Sequence, residues 1–90
     1  MSDMTVVLLT YNHVESIGRA LESVLEQKVS FPLVVHILDD CSSDGTSEIC
    51  EKYAKKFPEL FIHFRNEVNI GVLQNLKRGL CRVESKYFAI

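Results

Sequence analysis

Continuous apolar stretches alternate along the chain with stretches in which apolar residues recur three and four positions apart. The continuous stretches are short and rich in β-branched or aromatic residues, which is typical of strands buried on both faces. They cover residues 5–10, 33–38 and 60–64, with the start of a fourth at 87–90. The intervening spacing predicts three helices, each with one apolar face. These faces comprise Ile17, Ala20, Leu21, Val24 and Leu25, then Ile49, Cys50, Tyr53, Ala54 and Phe57, then Val72, Leu76, Leu80 and Val83.

The resulting order βαβαβαβ predicts an α/β fold, because strands that alternate with helices form parallel sheets through right-handed crossovers. We expect a three-layer, Rossmann-like parallel sheet with helices on both faces. In open sheets of this kind, ligands bind at the carboxyl ends of the strands. The pattern therefore singles out three polar loops at those ends: a first loop, an acidic loop and a third loop, which cover residues 10–13, 39–45 and 66–71.

Length, charge and cysteine content narrow the class of protein. Ninety residues with 47% hydrophobic and 24% charged side chains predict one small globular domain, 1–90. The net charge of −2 argues against nucleic acid as a partner, since phosphate-backbone binders carry a basic surplus. No apolar run approaches the roughly 20 residues of a membrane span. Three irregularly spaced cysteines and a start without the pattern of a signal peptide predict a cytoplasmic protein.

Two of the loops carry residues that commonly begin helices. Asn12 followed by Glu15 matches a capping box with Asn in the cap position, which predicts that the first helix begins there. Ser43 or Asp44 is predicted to satisfy the free N–H groups at the start of the second helix. Helix capping therefore explains some of the polar residues in both loops without any ligand.

Asp39 and Asp40 precede these caps, so we interpret their carboxylates as candidate groups for a ligand N–H or a cation. The acidic loop also matches the spacing of an EF-hand calcium loop, in residues Asp40, Ser42, Asp44, Gly45 and Glu51. An EF-hand needs a helix before its loop, whereas residues 33–38 are predicted as a strand. Calcium binding is therefore a minor alternative.

Aromatic and amide side chains accompany the other two loops. Tyr11 has two interpretations, a platform for a planar ring and a ring that covers the end of the sheet. Asn75 lies one turn into the third helix and is interpreted either as part of the same rim or, preferably, as a solvated helix residue. Arg65, Lys77 and Arg78 are predicted to be solvated surface charges.

The motifs of several common α/β proteins are missing from this sequence. No G-x-G-x-x-G follows the first strand and no G-x-x-x-x-G-K-[ST] occurs, which argues against dinucleotide-binding and P-loop proteins. A stand-alone ligand-binding or receiver-like signalling module without catalysis stays open as an alternative. A receiver-like domain, however, is expected to carry its acidic pair after the first strand, and here the pair follows the second.

Four segments in order resemble the amino-terminal half of family 2 glycosyltransferases of the GT-A fold. They are 6–12, similar to the opening strand and its T-Y-N turn; 21–27, similar to the first helix; 38–46, similar to the D-D-x-S-x-D-G-T signature; and 66–75, similar to an N-x-x-N-x-G-x-x-x-N stretch. The resemblance covers essentially the whole chain. Leu9 departs from the family, which often has proline at this position.

The resemblance implies a glycosyltransferase, which moves a sugar from a nucleotide-diphosphate sugar to an acceptor in surface polysaccharide or glycan synthesis. It implies that Tyr11 stacks on the base and that Asp40 accepts a hydrogen bond from the base edge. This carboxylate suits an imino N–H, which favours UDP- or dTDP-sugars. The implied nucleotide-sugar-binding residues are Thr10, Tyr11, Asn12, Glu15, Asp40 and Asn75.

The family also binds Mg²⁺ or Mn²⁺ through a D-x-D-like motif after the fourth strand, where the metal stabilises the leaving diphosphate. We expect the metal ligands and the catalytic base beyond Ile90, so that residues 1–90 bind nucleotide weakly at best and are inactive alone. The resemblance further implies a glycan or lipid-linked acceptor, and it leaves membrane association of the full-length protein open. An unpaired strand at the sheet edge favours a homodimer.

Overall fold

The computed structural model describes residues 4–26, 33–83 and the backbone of 87–89. Its elements are β1 (Met4–Thr10), α1 (Ile17–Glu26), β2 (Leu33–Asp39), α2 (Thr46–Lys56), β3 (Phe61–Arg65), α3 (Val72–Leu80) and β4 (Tyr87–Ala89). The predicted order is confirmed. Val83, which was predicted on the third helix, lies outside α3. Its amide donates to the carbonyl of Leu80, three residues back, so the chain has left the α-helix before Val83. Ile90, the end of the predicted fourth strand, lies outside the described residues.

The four strands are parallel, in the order β3-β2-β1-β4. Thr10 at the end of β1 lies opposite Asp39 at the end of β2, which in turn lies opposite Arg65 at the end of β3. This register brings the first, acidic and third loops to one edge of the sheet. The strand order reverses beside β1, and such a reversal opens a crevice for ligands at the carboxyl edge.

The helices cover both faces of the sheet. Side chains alternate along β2, so Ile37 and Leu38 point to opposite faces. The face of Ile37 packs on α1 and α2 through the buried cluster Ile17, Leu21, Val35, Ile37, Cys50 and Phe61. On the other face α3 lies over Leu38, whose Cδ1 is 2.0 Å from the position that a Cβ on Gly79 would take. The predicted three-layer architecture is therefore confirmed.

The third helix differs from its predicted apolar face. Val72 is 70% exposed, whereas Asn75 and Gly79 are buried. These two residues are four apart, so they lie on one side of the helix. A glycine there lets the helix approach the sheet closely, and the amide of Asn75 satisfies backbone and side-chain groups that an apolar residue would leave unpaired. Close packing and polar pairing thus decide this interface, more than apolar periodicity.

The described helices are short. The longest of them, α2, has 11 residues. In the described parts of the chain, none combines the length and the apolar character that crossing a bilayer requires.

Candidate functional site

Hydrogen bonds join the first loop to the acidic loop. The backbone amide of Asn12 donates to Oγ of Ser42 at 2.9 Å, and the amide of Ser43 donates to Oδ1 of Asn12 at 2.9 Å. The amide of Val14 donates to Oδ2 of Asp44 at 3.1 Å. Asn12 adopts the left-handed conformation, with φ 53°, which an asparagine tolerates better than most residues. The first loop is therefore shaped by residues about thirty positions further along the chain.

The predicted capping box at Asn12 and Glu15 is wrong. The first helix begins at Ile17, and the carbonyl of His13 accepts hydrogen bonds from the amides of Ser16 and Ile17 at 3.0 and 2.8 Å. A turn thus separates Asn12 from the helix. Asn12 does not cap the helix, because its side chain is already bonded to the acidic loop.

Asp44 does satisfy the start of the second helix. Its Oδ1 accepts hydrogen bonds from the amide and the hydroxyl of Thr46, at 3.1 and 2.6 Å. The residue at the cap position is Gly45, which has φ 106° and carries no side chain that could bond. The hydrogen bond from the Thr46 hydroxyl holds the pKa of Asp44 below its ordinary value. Of the two predicted residues, Asp44 is confirmed, whereas Ser43 uses its amide on the first loop.

Asp40 is buried and anchors the third loop. Its Oδ1 accepts from Nδ2 of Asn66 at 2.9 Å and from the amide of Ile70 at 2.8 Å, and its Oδ2 accepts from the amide of Gly71 at 2.8 Å. Burial raises the pKa of Asp40, but these three donors prevail and hold it below its ordinary value. A carboxylate has about four acceptor positions. Donors from the described part of the chain take three of them, and one position on Oδ2 accepts no hydrogen bond there.

A pocket of about 340 Å³ opens at the carboxyl ends of β1 and β2. It is lined by Leu9, Thr10, Tyr11, His13, Asp40, Asn69, Gly71, Val72 and Asn75. Four of the six predicted site residues thus come together, namely Thr10, Tyr11, Asp40 and Asn75. The other two, Asn12 and Glu15, are exposed and do not belong to this lining.

Tyr11 differs from its buried neighbours in the pocket. It keeps 44% of its surface exposed, whereas Thr10 and Asp40 are 3% exposed each. The ring therefore has area available to stack on a planar ligand while the carboxylate of Asp40 lies deeper. Stacking by Tyr11 stays a prediction.

The interpretation of Asn75 as a solvated helix residue is wrong, because Asn75 is 2% exposed. Its Nδ2 donates to the carbonyl of Leu38 at 3.0 Å, and its Oδ1 accepts from Nδ2 of Asn66 at 3.0 Å. The same Asn66 amide donates to Asp40. Asn75 thus reaches the pocket with its amide already paired inside the protein, and it ties α3 to β2.

Asp39 points away from Asp40, since adjacent residues of a strand face opposite sides. It is fully buried, and its Oδ1 accepts from the amide of Ser42 at 3.0 Å. Its Oδ2 accepts from the hydroxyl of Ser47 and from Nε2 of His63, the latter at 3.0 Å. The interpretation of Asp39 as a ligand-holding group is therefore wrong, because its oxygens are bonded on the side of α2.

His63 links two carboxylates, a role that the sequence did not indicate. Its Nδ1 lies 3.1 Å from Oε1 of Glu51, on the opposite side of the ring from Asp39. Burial lowers the pKa of His63, but the hydrogen bonds to Asp39 and Glu51 prevail and raise it above its ordinary value. Burial raises the pKa of Asp39, but the hydrogen bond from His63 and those from two serines lower it well below its usual range. Burial and the nearby Asp39 charge raise the pKa of Cys50 to about 12.

The raised pKa of His63 predicts a loss of stability on going from neutral to alkaline pH. A folded state that binds the proton more tightly than the unfolded chain is stabilised below the unfolded pKa near 6.5. That contribution is lost as the pH rises through the folded pKa. Urea unfolding from about pH 6 to 9 is expected to give a falling free energy of unfolding for the wild type and a flatter curve for His63→Gln.

The comparison isolates His63 because His13 and His36 are present in both proteins. Asp39 titrates only in acid, and Cys50, whose raised pKa also lowers stability as the unfolded thiol ionises towards pH 9, is present in both proteins. Parallel curves for the two proteins would contradict the assigned role of His63.

Two arginines near the loops are exposed, as predicted, and are also bonded. Nε of Arg65 donates to Oγ of Ser47 at 2.9 Å, and its Nη2 donates to the carbonyl of Ser42 at 3.2 Å. Nη1 of Arg78 donates to Oδ1 of Asn66 at 3.2 Å. Both side chains therefore brace the loops of the pocket from outside.

The described residues do not fit a divalent metal. The acidic loop follows β2, a strand, so it lacks the preceding helix of an EF-hand. The carboxylates of Asp39 and Asp40 are already bonded to donors within the protein. Across 4–26 and 33–83, no three His, Cys, Asp or Glu side chains assemble into a metal-binding cluster.

The sequence profile of a family described as "Glycosyl transferase family 2" matches residues 5–90 of the chain. An uncharacterized protein from Mycobacterium tuberculosis (strain ATCC 25618 / H37Rv) is 38% identical over 87 residues, which cover 97% of this chain and 25% of the relative. The cholesterol galactosyltransferase of Borreliella burgdorferi is 27% identical over 84 residues, which cover 93% of this chain and 23% of the relative.

A solved structure is also similar to this fold. It is a mannosyltransferase from Pyrobaculum calidifontis in complex with GDP-Man and Mn²⁺, with a TM-score of 0.78 and 25% sequence identity. The match covers 92% of this chain and 25% of that one. The chain thus spans about a quarter of the length of these similar proteins.

Proposed function

Since the chain belongs to glycosyl transferase family 2, we propose that residues 1–90 form the donor-binding part of a GT-A glycosyltransferase, which transfers a sugar from a nucleotide-diphosphate sugar to an acceptor. The observation that carries the proposal is the pocket at the carboxyl ends of β1 and β2. Its lining contains the partly exposed aromatic ring of Tyr11 and the buried carboxylate of Asp40. The mannosyltransferase neighbour, in complex with GDP-Man, supports a nucleotide sugar as the ligand.

In this proposal an aromatic ring and a carboxylate hold the base. The ring of Tyr11 stacks on the base, since aromatic rings bind the π-face of any base. The remaining acceptor position of Asp40 takes an N–H from the base edge. An ionised carboxylate is a strong acceptor, because charge roughly doubles the strength of a hydrogen bond. The third loop, through its bonds to Asp40, fixes the direction in which that carboxylate points.

The pairing with Asp40 favours a base with an imino N–H, so UDP- or dTDP-sugars are the proposed donors. Guanine also carries an imino N–H, and the structural neighbour contains GDP-Man. A binding comparison between UDP and GDP therefore decides the nucleotide.

The remaining requirements of the reaction are proposed to come from outside residues 1–90. Mg²⁺ or Mn²⁺ would neutralise the diphosphate, and a manganese ion is present in the structural neighbour. Its ligands are proposed beyond Ile90, because Asp39 and Asp40 are bonded within the protein. A glycan or lipid-linked acceptor, a cytoplasmic location and a homodimer through the sheet edge are likewise proposals.

Replacing Tyr11 with alanine is expected to weaken the binding of UDP by about tenfold or more, because base–aromatic stacking contributes about 1–3 kcal/mol. Calorimetric titration of the chain with UDP, GDP and CaCl₂ measures this. Ile62→Ala is the matched control, since Ile62 is 39% exposed and lies on β3, outside the pocket lining. Calcium binding without any nucleotide binding would overturn the proposed function.

A further inference from the structure

His13 belongs to the pocket lining, and one of its ring nitrogens is bonded within the first loop. The backbone amide of Tyr11 donates to Nδ1 of His13 at 3.4 Å, and the hydroxyl of Thr10 lies 3.1 Å from the same atom. A backbone amide can only donate, so Nδ1 is the acceptor. The neutral ring then carries its proton on Nε2. The first loop therefore fixes a histidine tautomer with an N–H on the outer side of the ring.

The other side-chain and backbone donors of the lining are mostly used inside the protein. Nδ2 of Asn75 donates to the carbonyl of Leu38, and Nδ2 of Asn69 donates to the carbonyl of Asp40 at 3.3 Å. The amide of Gly71 donates to the carboxylate of Asp40. Among residues 4–26 and 33–83, the lining contains no Lys or Arg, and Nε2 of His13 makes no hydrogen bond. The N–H of His13 is thus a donor available to a ligand.

The N–H of His13 and the carboxylate of Asp40 lie at different depths in the pocket. Asp40 is 3% exposed, whereas His13 is exposed. A nucleotide whose base reaches Asp40 keeps its ribose and diphosphate towards the exposed rim. The diphosphate oxygens are the strongest acceptors of such a ligand, because they are charged.

Building on the proposed donor site, we propose that Nε2–H of His13 donates a hydrogen bond to a diphosphate oxygen of the nucleotide. His13 is then a binding residue that supplies a contact to the anionic part of the donor, in a lining whose described residues include no Lys or Arg. It also couples recognition of the diphosphate to the position of Tyr11, whose amide holds the ring in place.

Two substitutions separate the two nitrogens of the ring. In His13→Asn, the side-chain oxygen reproduces the acceptor at Nδ1 but nothing replaces the N–H of Nε2. In His13→Gln, the longer side chain carries an amide N–H near the position of Nε2. We expect His13→Asn to weaken the binding of UDP by about tenfold, as for a hydrogen bond to a charged group, and to leave the binding of uridine unchanged. His13→Gln is expected to retain part of the UDP affinity.

Calorimetric titration of the wild type and of each variant with UDP and with uridine tests these expectations. Urea unfolding of each variant shows whether it is folded. An equal loss for both ligands, or no loss for either, overturns the contact with the diphosphate. If the wild type binds UDP and Tyr11→Ala weakens that binding, but His13→Asn binds UDP as the wild type does, the role of His13 fails and the proposed function stands. If the wild type binds no nucleotide, the proposed function itself fails.

A second measurement uses the wild type alone, so it does not depend on folding of the variants. The ¹⁵N resonance of Nε2 in His13 is expected to shift when UDP is added and to change less when uridine is added. The same shift with both ligands contradicts the proposal.

Discussion

Replacing Asp40 with asparagine is expected to lower the free energy of unfolding by about 3 kcal/mol, because buried donors would lose a charged acceptor. Three donors converge on this carboxylate, from Asn66, Ile70 and Gly71. An asparagine oxygen can still accept from the first two. Its amide group, however, would face the N–H of Gly71, so two donors would meet in a buried site. The third loop is therefore expected to lose its anchor, together with the shape of the pocket.

Urea unfolding at pH 7 measures this effect, and Asp44→Asn is the matched control. Asp44 belongs to the same loop and also accepts several hydrogen bonds, but it is exposed. Water can replace the bonds that Asp44 loses, so a clearly smaller loss of stability is expected there. Equal losses of unfolding free energy in the two variants would show that the burial of Asp40 is not the cause of the lost stability.

The strands and helices could be predicted because continuous β-branched stretches and helical spacing are distinct patterns, each set by neighbours in sequence. The position of the pocket also follows from topology, since parallel strands bring their carboxyl ends to one edge. What the pattern could not assign is which of Asp39 and Asp40 faces that edge. Alternation requires them to diverge, but the choice depends on where α2 and the third loop place donors.

The local capping rule failed at Asn12 for a related reason. The rule considers only the next few residues, whereas the partners of Asn12 are Ser42 and Ser43. His63 was missed because its two carboxylates, Asp39 and Glu51, come from β2 and α2. Contacts between distant segments thus decide the polar details of this site, and sequence spacing alone contains no signal for them.

The close contact of α3 with the sheet at Gly79 leaves no room for a larger residue without rearrangement. Gly79→Ala is expected to lower the free energy of unfolding by about 2 kcal/mol, because overpacking a core costs about 1–3 kcal/mol and the helix preference of alanine offsets only part of this. The new Cβ would lie 2.0 Å from Cδ1 of Leu38 and 3.1 Å from two further atoms of that side chain. Leu38 is fully buried, so a displaced side chain would have to repack within the interior of the protein.

Gly18→Ala is the matched control, because Gly18 also lies within a helix and a Cβ there meets nothing within 4 Å. That variant is expected to gain about 0.5–1 kcal/mol from the helix preference of alanine. A double-mutant cycle then tests the cause. In the background of Leu38→Ala the crowding disappears, so Gly79→Ala should lose most of its penalty, with a coupling of about 1–3 kcal/mol. If the penalty of Gly79→Ala persists without the leucine side chain, the close approach of α3 to Leu38 is not its source, and the backbone position of the helix must be.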